Sequence, residues 1–212
     1  RLSGEGSVDM ADKIFAGKKN LADLPARFLT LGKLRSAEGD FFDEVLAVRF
    51  DKRASYTAEE CVEFHCHGGL LPAQKCIEQL CSAGARLAQP GEFTRRAFVN
   101  GRIDLPQAEA VLGIIRAESD EALYASSRTL QGTFAEKLSI LLDRMTGLAA
   151  FLEVDLDFPE EDDGYIARDE CENRLDDLIR ESGAILDGCR SGLILREGIR
   201  TASIFRPNVG KS

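Results

Sequence analysis

The sequence predicts an α+β fold: a first domain of mixed β-sheet and helices over residues 1–105, followed by an α-helical domain over 106–198. Strand-like runs are confined to the first part of the chain and stop after about residue 105. Beyond it, Leu130, Phe134, Leu138, Leu141, Met145, Leu148 and Leu152 step by threes and fours, the spacing of a bundled helix. The chain is 212 residues long, 44% hydrophobic and 30% charged, enough for one or two domains around a sizeable core.

Taken in order, Arg1-Leu2-Ser3-Gly4 reads as the tail of a strand and a turn. Ser7 is placed to cap a helix running to about Phe15, with Met10, Ala11, Ile14 and Phe15 inward. Residues 26–35 and 41–50 flank a turn at Ser36–Asp40 and predict a hairpin. A strand follows at 60–67. A helix from Leu70 to Ala83 carries Ala73, Cys76, Ile77 and Leu80 on one stripe, and Gly84 stops it. Extended residues Ala85–Ala88 lead to a helix around Phe93–Phe98 and a turn at Asn100-Gly101. Asp104 and Gln107 have capping-box spacing. Ser119-Asp120-Glu121 starts one long helix through Leu152. A second, about 168–190, turns Leu175, Leu178, Ile179, Ile185, Leu186 and Cys189 inward against it. Gly192 and Gly198 bracket a connector, and Ile199–Ile204 reads as a strand.

The net charge of -9 argues against a generally nucleic-acid-binding surface. No apolar run reaches the ~18–20 residues of a membrane span. No signal peptide is visible, and the start at Arg1 rather than Met reads as a natural N-terminus lost. The six cysteines form no C-x-x-C pair and read as reduced thiols of a cytoplasmic protein.

Four stretches are candidate sites. In Glu59–Gly69, read as a strand, Val62, Phe64 and Cys66 face the core, while Cys61, Glu63, His65 and His67 share the other face. Two histidines and Glu63 admit a metal, although no fourth ligand is evident. A polar pocket, with Glu63 accepting from the amino and ring N–H groups of a heterocycle, is a second reading. A hydrogen-bonded turn histidine beside a solvated glutamate is a third. Arg95, Arg96 and Arg102 surround one turn and suit an anionic ligand or a solvated helix face. Asp155–Asp163 lacks EF-hand spacing and reads as an acidic connector or a weak cation site. Finally, Gly210-Lys211-Ser212 ends a phosphate-loop pattern whose first glycine position holds Phe205. That is either a chance G-K-S or a nucleotide-binding domain cut off at its first loop, and neither hydrolyses a nucleotide alone.

Several motifs in order, Arg1–Gly4, Tyr56–Gly69, Gln89–Leu105, Gln107–Ala110, Leu130–Gly132, Asp157–Glu161 and Arg206–Ser212, together resemble the tRNA modification GTPase family MnmE, also called TrmE. The resemblance implies that residues 1–105 bind folate and dimerise, that 106–198 are the first part of a helical domain, and that 199–212 open a truncated GTPase domain. It implies a tetrahydrofolate derivative, 5-formyl- or 5,10-methylene-tetrahydrofolate, contacted by Arg1, Glu63 and Arg102, the last standing where some members have lysine. It implies GTP with K⁺ at Asn208 and Mg²⁺ at Ser212, within a nucleotide loop of Asn208, Val209, Gly210, Lys211 and Ser212. It further implies a homodimer acting with the flavoprotein MnmG on the wobble uridine of tRNA, at C5. The family's GTPase body, C-terminal helices and terminal cysteine motif have no counterpart in these residues. Two alternatives stand beside this one: a stand-alone dimerisation module without a ligand, and a zinc enzyme built on His65 and His67.

Overall fold

The computed structural model describes residues 1–157 and 168–197. The predicted strand at 199–204, the phosphate loop at 205–212 and most of the acidic stretch lie outside them. The chain divides into two compact units, Arg1–Ala108 and Glu109–Ser212.

In the first unit, β1 (Leu2–Ser3), β2 (Phe15–Gly17), β3 (Thr30–Arg35), β4 (Phe41–Phe50) and β5 (Cys61–His65) form one sheet in the order β1-β5-β4-β3-β2. The α+β class holds, and all four pairings are antiparallel. Helices α1 (Ser7–Ile14) and α2 (Leu70–Ser82) contribute Val8, Ala11, Ile14, Cys76 and Leu80 to the core. Leu34, Val45, Ala47 and Val62 meet them from the sheet. Alternation along each strand places these residues on one face, so hydrophobic burial selects the register.

Three expectations change here. Ser7 is not the N-cap of α1: Gly6 is, with φ 74, and the Ser7 hydroxyl is buried without a hydrogen-bond partner. The helix stops at Ile14 because Phe15 turns extended (φ -101, ψ 131) and joins β3 opposite Leu34. The buried stripe of α2 is Cys76, Gln79 and Leu80, while Ile77 is 44% exposed. Gln79 faces inward because its Oε1 accepts the Ala37 N–H of the β3–β4 turn at 2.9 Å.

Helix α3 (Glu92–Val99) ends at a turn in which Gly101 takes φ 71. Helix α4 (Leu105–Ile115) opens on the expected capping box: Gln107 N–H donates to Asp104 Oδ1 (2.7 Å) and Asp104 N–H to Gln107 Oε1 (2.9 Å). The boundary between the units falls within this helix.

In the second unit the single helix expected from Ser119 is two, α5 (Asp120–Leu130) and α6 (Thr133–Asp157). Gly132 at φ 88 breaks it, a conformation that ends α-helices readily when glycine supplies it. Ser119 caps α5, its Oγ accepting the Ala122 N–H at 3.2 Å. Helix α7 (Arg168–Glu197) runs through Gly192, where a connector was expected. Helices α6 and α7 pack together, joined by an Arg144–Glu181 ion pair and by the Arg174 guanidinium 5.6 Å from the Phe151 ring. The stripes expected to face inward are largely open: Leu148 and Leu178 are buried, but Met145, Leu175, Ile179 and Leu186 are about half exposed. No helix among the described residues is long and apolar enough to cross a membrane.

Candidate functional site

The pairing of β1 with β5 assembles the site. Leu2 lies opposite Val62 and Ser3 opposite Cys61, so the antiparallel register carries Arg1 alongside Glu63. Arg1 Nε donates to Glu63 Oε1 at 2.6 Å. Glu63 projects from the face of β5 opposite the core, because Val62 and Phe64 take the core face. The Tyr56 ring completes the cluster. The Arg1 guanidinium lies 4.9 Å from its centroid and that of Arg102 lies 5.0 Å away. Arg1 also lies 5.7 Å from the Phe93 ring. Arg1 and Arg102, far apart in sequence, thus meet on one aromatic side chain, and Glu63 is joined to them through Arg1. Arg1 is already paired with a carboxylate. Arg102 has no carboxylate partner among the described residues.

A polar lattice holds this cluster in place. Glu59 accepts from Ser3 Oγ (3.0 Å) and Arg96 Nη1 (3.1 Å). Ser3 and Thr57 hydroxyls are 2.5 Å apart, and Asn100 Nδ2 donates to the Thr57 carbonyl at 2.7 Å. Glu92 accepts from Arg86 (2.5 Å), Arg96 (2.9 Å) and the Gln89 N–H (2.8 Å). Hydrogen bonds from Arg86, from the Gln89 backbone and from Arg96 hold the Glu92 carboxyl far below the usual carboxylate range. Burial pushes Glu59 up, but hydrogen bonds from Arg96 and Ser3 outweigh it and leave the group lowered. The lattice therefore ties β1, residues 57–59 and α3 together, which fixes the neighbours of Arg1, Tyr56 and Arg102.

The three arginines expected around one turn do not act as a group. Arg96 is spent on Glu59 and Glu92, Arg95 is exposed, and only Arg102 joins the cluster.

The histidines separate from Glu63. His65 is exposed at the end of β5. His67 lies beyond the strand, where its Nδ1 is 2.6 Å from Asp43 Oδ1 and its backbone N–H donates to Asp43 Oδ2 at 3.1 Å. Among the described residues no group of three or more His, Cys, Asp and Glu side chains is placed to hold a metal ion. Phe64 and Cys66 pack against the core as expected, but Cys61 is buried at 1% exposure rather than lining a pocket. Burial, then the Glu63 charge, pushes its thiol up to about 11. Burial raises Cys66 and takes Cys76 up to about 12, so these are inert as thiolates at neutral pH.

A cavity of about 500 Å³ is lined by Arg1 together with Ser7, Leu80, Phe93 and Arg96, among others. Neither Glu63 nor Arg102 lines it.

Two family models divide the chain. Residues 1–102 match the GTP-binding protein TrmE N-terminus and residues 105–203 match the MnmE helical domain. The chain belongs to the MnmE family. It is 40% identical to the tRNA modification GTPase MnmE of Carboxydothermus hydrogenoformans, over all of this chain and 47% of that one. It is 42% identical to the protein of the same name from Symbiobacterium thermophilum, again over 100% and 47%. With that from Clostridioides difficile the identity is 40%, over 100% and 46%. The chain spans about half the length of the curated MnmE relatives it matches.

Tyr56 and Glu59 are the residues of this cluster that the sequence does not single out, and Asp43, which holds His67 apart from it, is another. Tyr56 and Glu59 stand within the polar run before β5, and that density was the signal available. Asp43 offered a different one, an acidic residue in step with buried Val45 and Ala47.

Proposed function

We propose that this chain is the folate-binding and dimerising part of a tRNA-modifying GTPase. The observation that carries this is that Arg1 and Arg102 meet on the Tyr56 ring while Arg1 also pairs with Glu63. The residues fit a tetrahydrofolate derivative. Glu63 offers a carboxylate to the paired N–H donors of an aminopyrimidine edge. Arg102, lacking a carboxylate partner among the described residues, suits the ligand's carboxylate or formyl oxygen. Arg1 neutralises Glu63 until a ligand replaces one of its hydrogen bonds. The bound 5-formyl- or 5,10-methylene-tetrahydrofolate would supply a one-carbon unit. The chain's own residues bind and orient it.

In the whole protein this unit serves GTP-dependent modification at C5 of the wobble uridine of tRNA, in the cytoplasm, as a homodimer with MnmG. Residues 1–105 are the folate-binding domain, 106–198 the helical one and 199–212 the opening of the GTPase domain. Asn208, Val209, Gly210, Lys211 and Ser212 bind GTP, with K⁺ at Asn208 and Mg²⁺ at Ser212. The relatives' name, tRNA modification GTPase, supports the tRNA and GTP parts of this wider reading; the remaining assignments rest on the motif resemblance.

Isothermal titration with 5-formyltetrahydrofolate tests the folate assignment. Saturable binding is expected, weakened at least about tenfold in Glu63→Ala, since hydrogen bonds to a charged group contribute ~1.5–3 kcal/mol. No binding by the folded chain, or unchanged binding in Glu63→Ala, overturns it.

A further inference from the structure

Two guanidiniums on one tyrosine ring are an unusual expense, because like charges repel unless something between them is negative. Here the ring offers its negative face, with Arg1 at 4.9 Å and Arg102 at 5.0 Å from one centroid. Tyr56 is itself held. Its hydroxyl is 3.1 Å from Thr94 Oγ1 on α3, and its neighbour Thr57 is locked by Ser3 and Asn100. Ring, β1 and α3 are therefore one rigid frame. Arg1 has a second anchor in Glu63. Arg102 has the ring alone for its guanidinium among the described residues, and the side chain is otherwise exposed.

We propose that Tyr56 is the positioning residue of this site: its ring holds the Arg1 and Arg102 guanidiniums at a set separation and orientation, so that a ligand meets Glu63 and the unpaired cation in fixed relation. It acts through the arginines, and its hydroxyl only steadies the ring. Without the platform, Arg102 is a long exposed side chain that must lose its rotamer freedom on binding, which weakens affinity. The ligand half of this proposal rests on the folate reading above; the arginine half does not.

The test has two arms on the 212-residue chain. The first is ligand-free: the ¹⁵N–¹H correlations of the Arg1 and Arg102 Nε–H groups. Both should be displaced in the wild type and retained in Tyr56→Phe; in Tyr56→Leu the Arg102 signal should move to the position of an exposed arginine, while the Arg1 signal shifts but stays displaced by Glu63 and Phe93. An Arg102 signal at the exposed position in the wild type, or a displaced Arg102 signal that Tyr56→Leu leaves in place, overturns the proposal. If Tyr56→Leu does not fold, Tyr56→Met replaces it, and the wild-type spectrum still decides. The second arm titrates 5-formyltetrahydrofolate. Tyr56→Leu should weaken binding about five- to tenfold, and Tyr56→Phe less than about twofold, as befits a cation–π platform. In an Arg102→Leu background Tyr56→Leu should cost less than about twofold more; fully additive losses mean a merely structural tyrosine and overturn the proposal. A wild-type chain that binds no folate defeats the folate reading while the spectra still settle the role of Tyr56.

Discussion

Glu59 shows how one side chain can matter to a site it does not touch. It joins Ser3 of β1 to Arg96 of α3, and so helps to position Arg1, two residues before Ser3, and Tyr56, three residues before Glu59 itself. The preceding residue, Ala58, sits at φ 56, a left-handed conformation that costs a non-glycine residue ~1 kcal/mol. The turn is therefore maintained by its hydrogen bonds. Because the folded value of Glu59 lies below its ordinary 4.5, the contribution is fully present above that pH and is lost as pH falls through the folded value. Glu59→Gln should then lower stability by about 1 kcal/mol at pH 7. Denaturant melts across pH should find the gap closing below the ordinary carboxylate range. A gap that persists undiminished into acid contradicts the assignment.

At the scale of elements, the junction of α1 and β2 turns on Phe15. Its ring lies across Gly17 of its own strand and Gly32 of β3: a methyl on Gly17 would stand 2.7 Å from it, and one on Gly32 would overlap it outright. Both glycines lack side chains so that the ring can cover the pleat, an aromatic cap on two facing glycines. Phe15 is buried in the core. Gly32→Ala should cost ~1–3 kcal/mol by overpacking. The denaturation midpoint should fall with the slope unchanged; an unaltered midpoint shows that the ring can move.

Taken as a whole, the molecule spends its apolar residues unevenly. The first unit closes a core on one face of its sheet. In the second, Ile140, Leu142, Met145, Val154, Leu156 and Ile179 are each at least half exposed among the described residues. Several large apolar side chains of α6 and α7 are thus left open to solvent. The homodimer is proposed on residues 1–105, so this surface of the second unit is separate from it. Sedimentation equilibrium should show a mass that rises toward twice the chain with concentration, and a monomer at every concentration rules the dimer out.

Where interactions are local, the sequence alone determined the outcome. The capping box of Asp104 and Gln107, the Ser119 cap, the Asn100-Gly101 turn and the β3–β4 hairpin all appear as read, because each is decided by residues within a few positions of one another. The motif around Glu63 is legible as a candidate site for the same reason: its polar residues are adjacent in the chain. Only the tertiary structure decided that Phe15 leaves its helix, that Gln79 turns inward to cap a distant turn, and that His67 goes to Asp43 instead of joining Glu63. It alone brought Arg1 and Arg102 to Tyr56. Each of these depends on strand pairing or helix docking between segments distant in sequence. A side chain's own neighbours carry no information about that partner until the register of β1 on β5 brings the partner within reach.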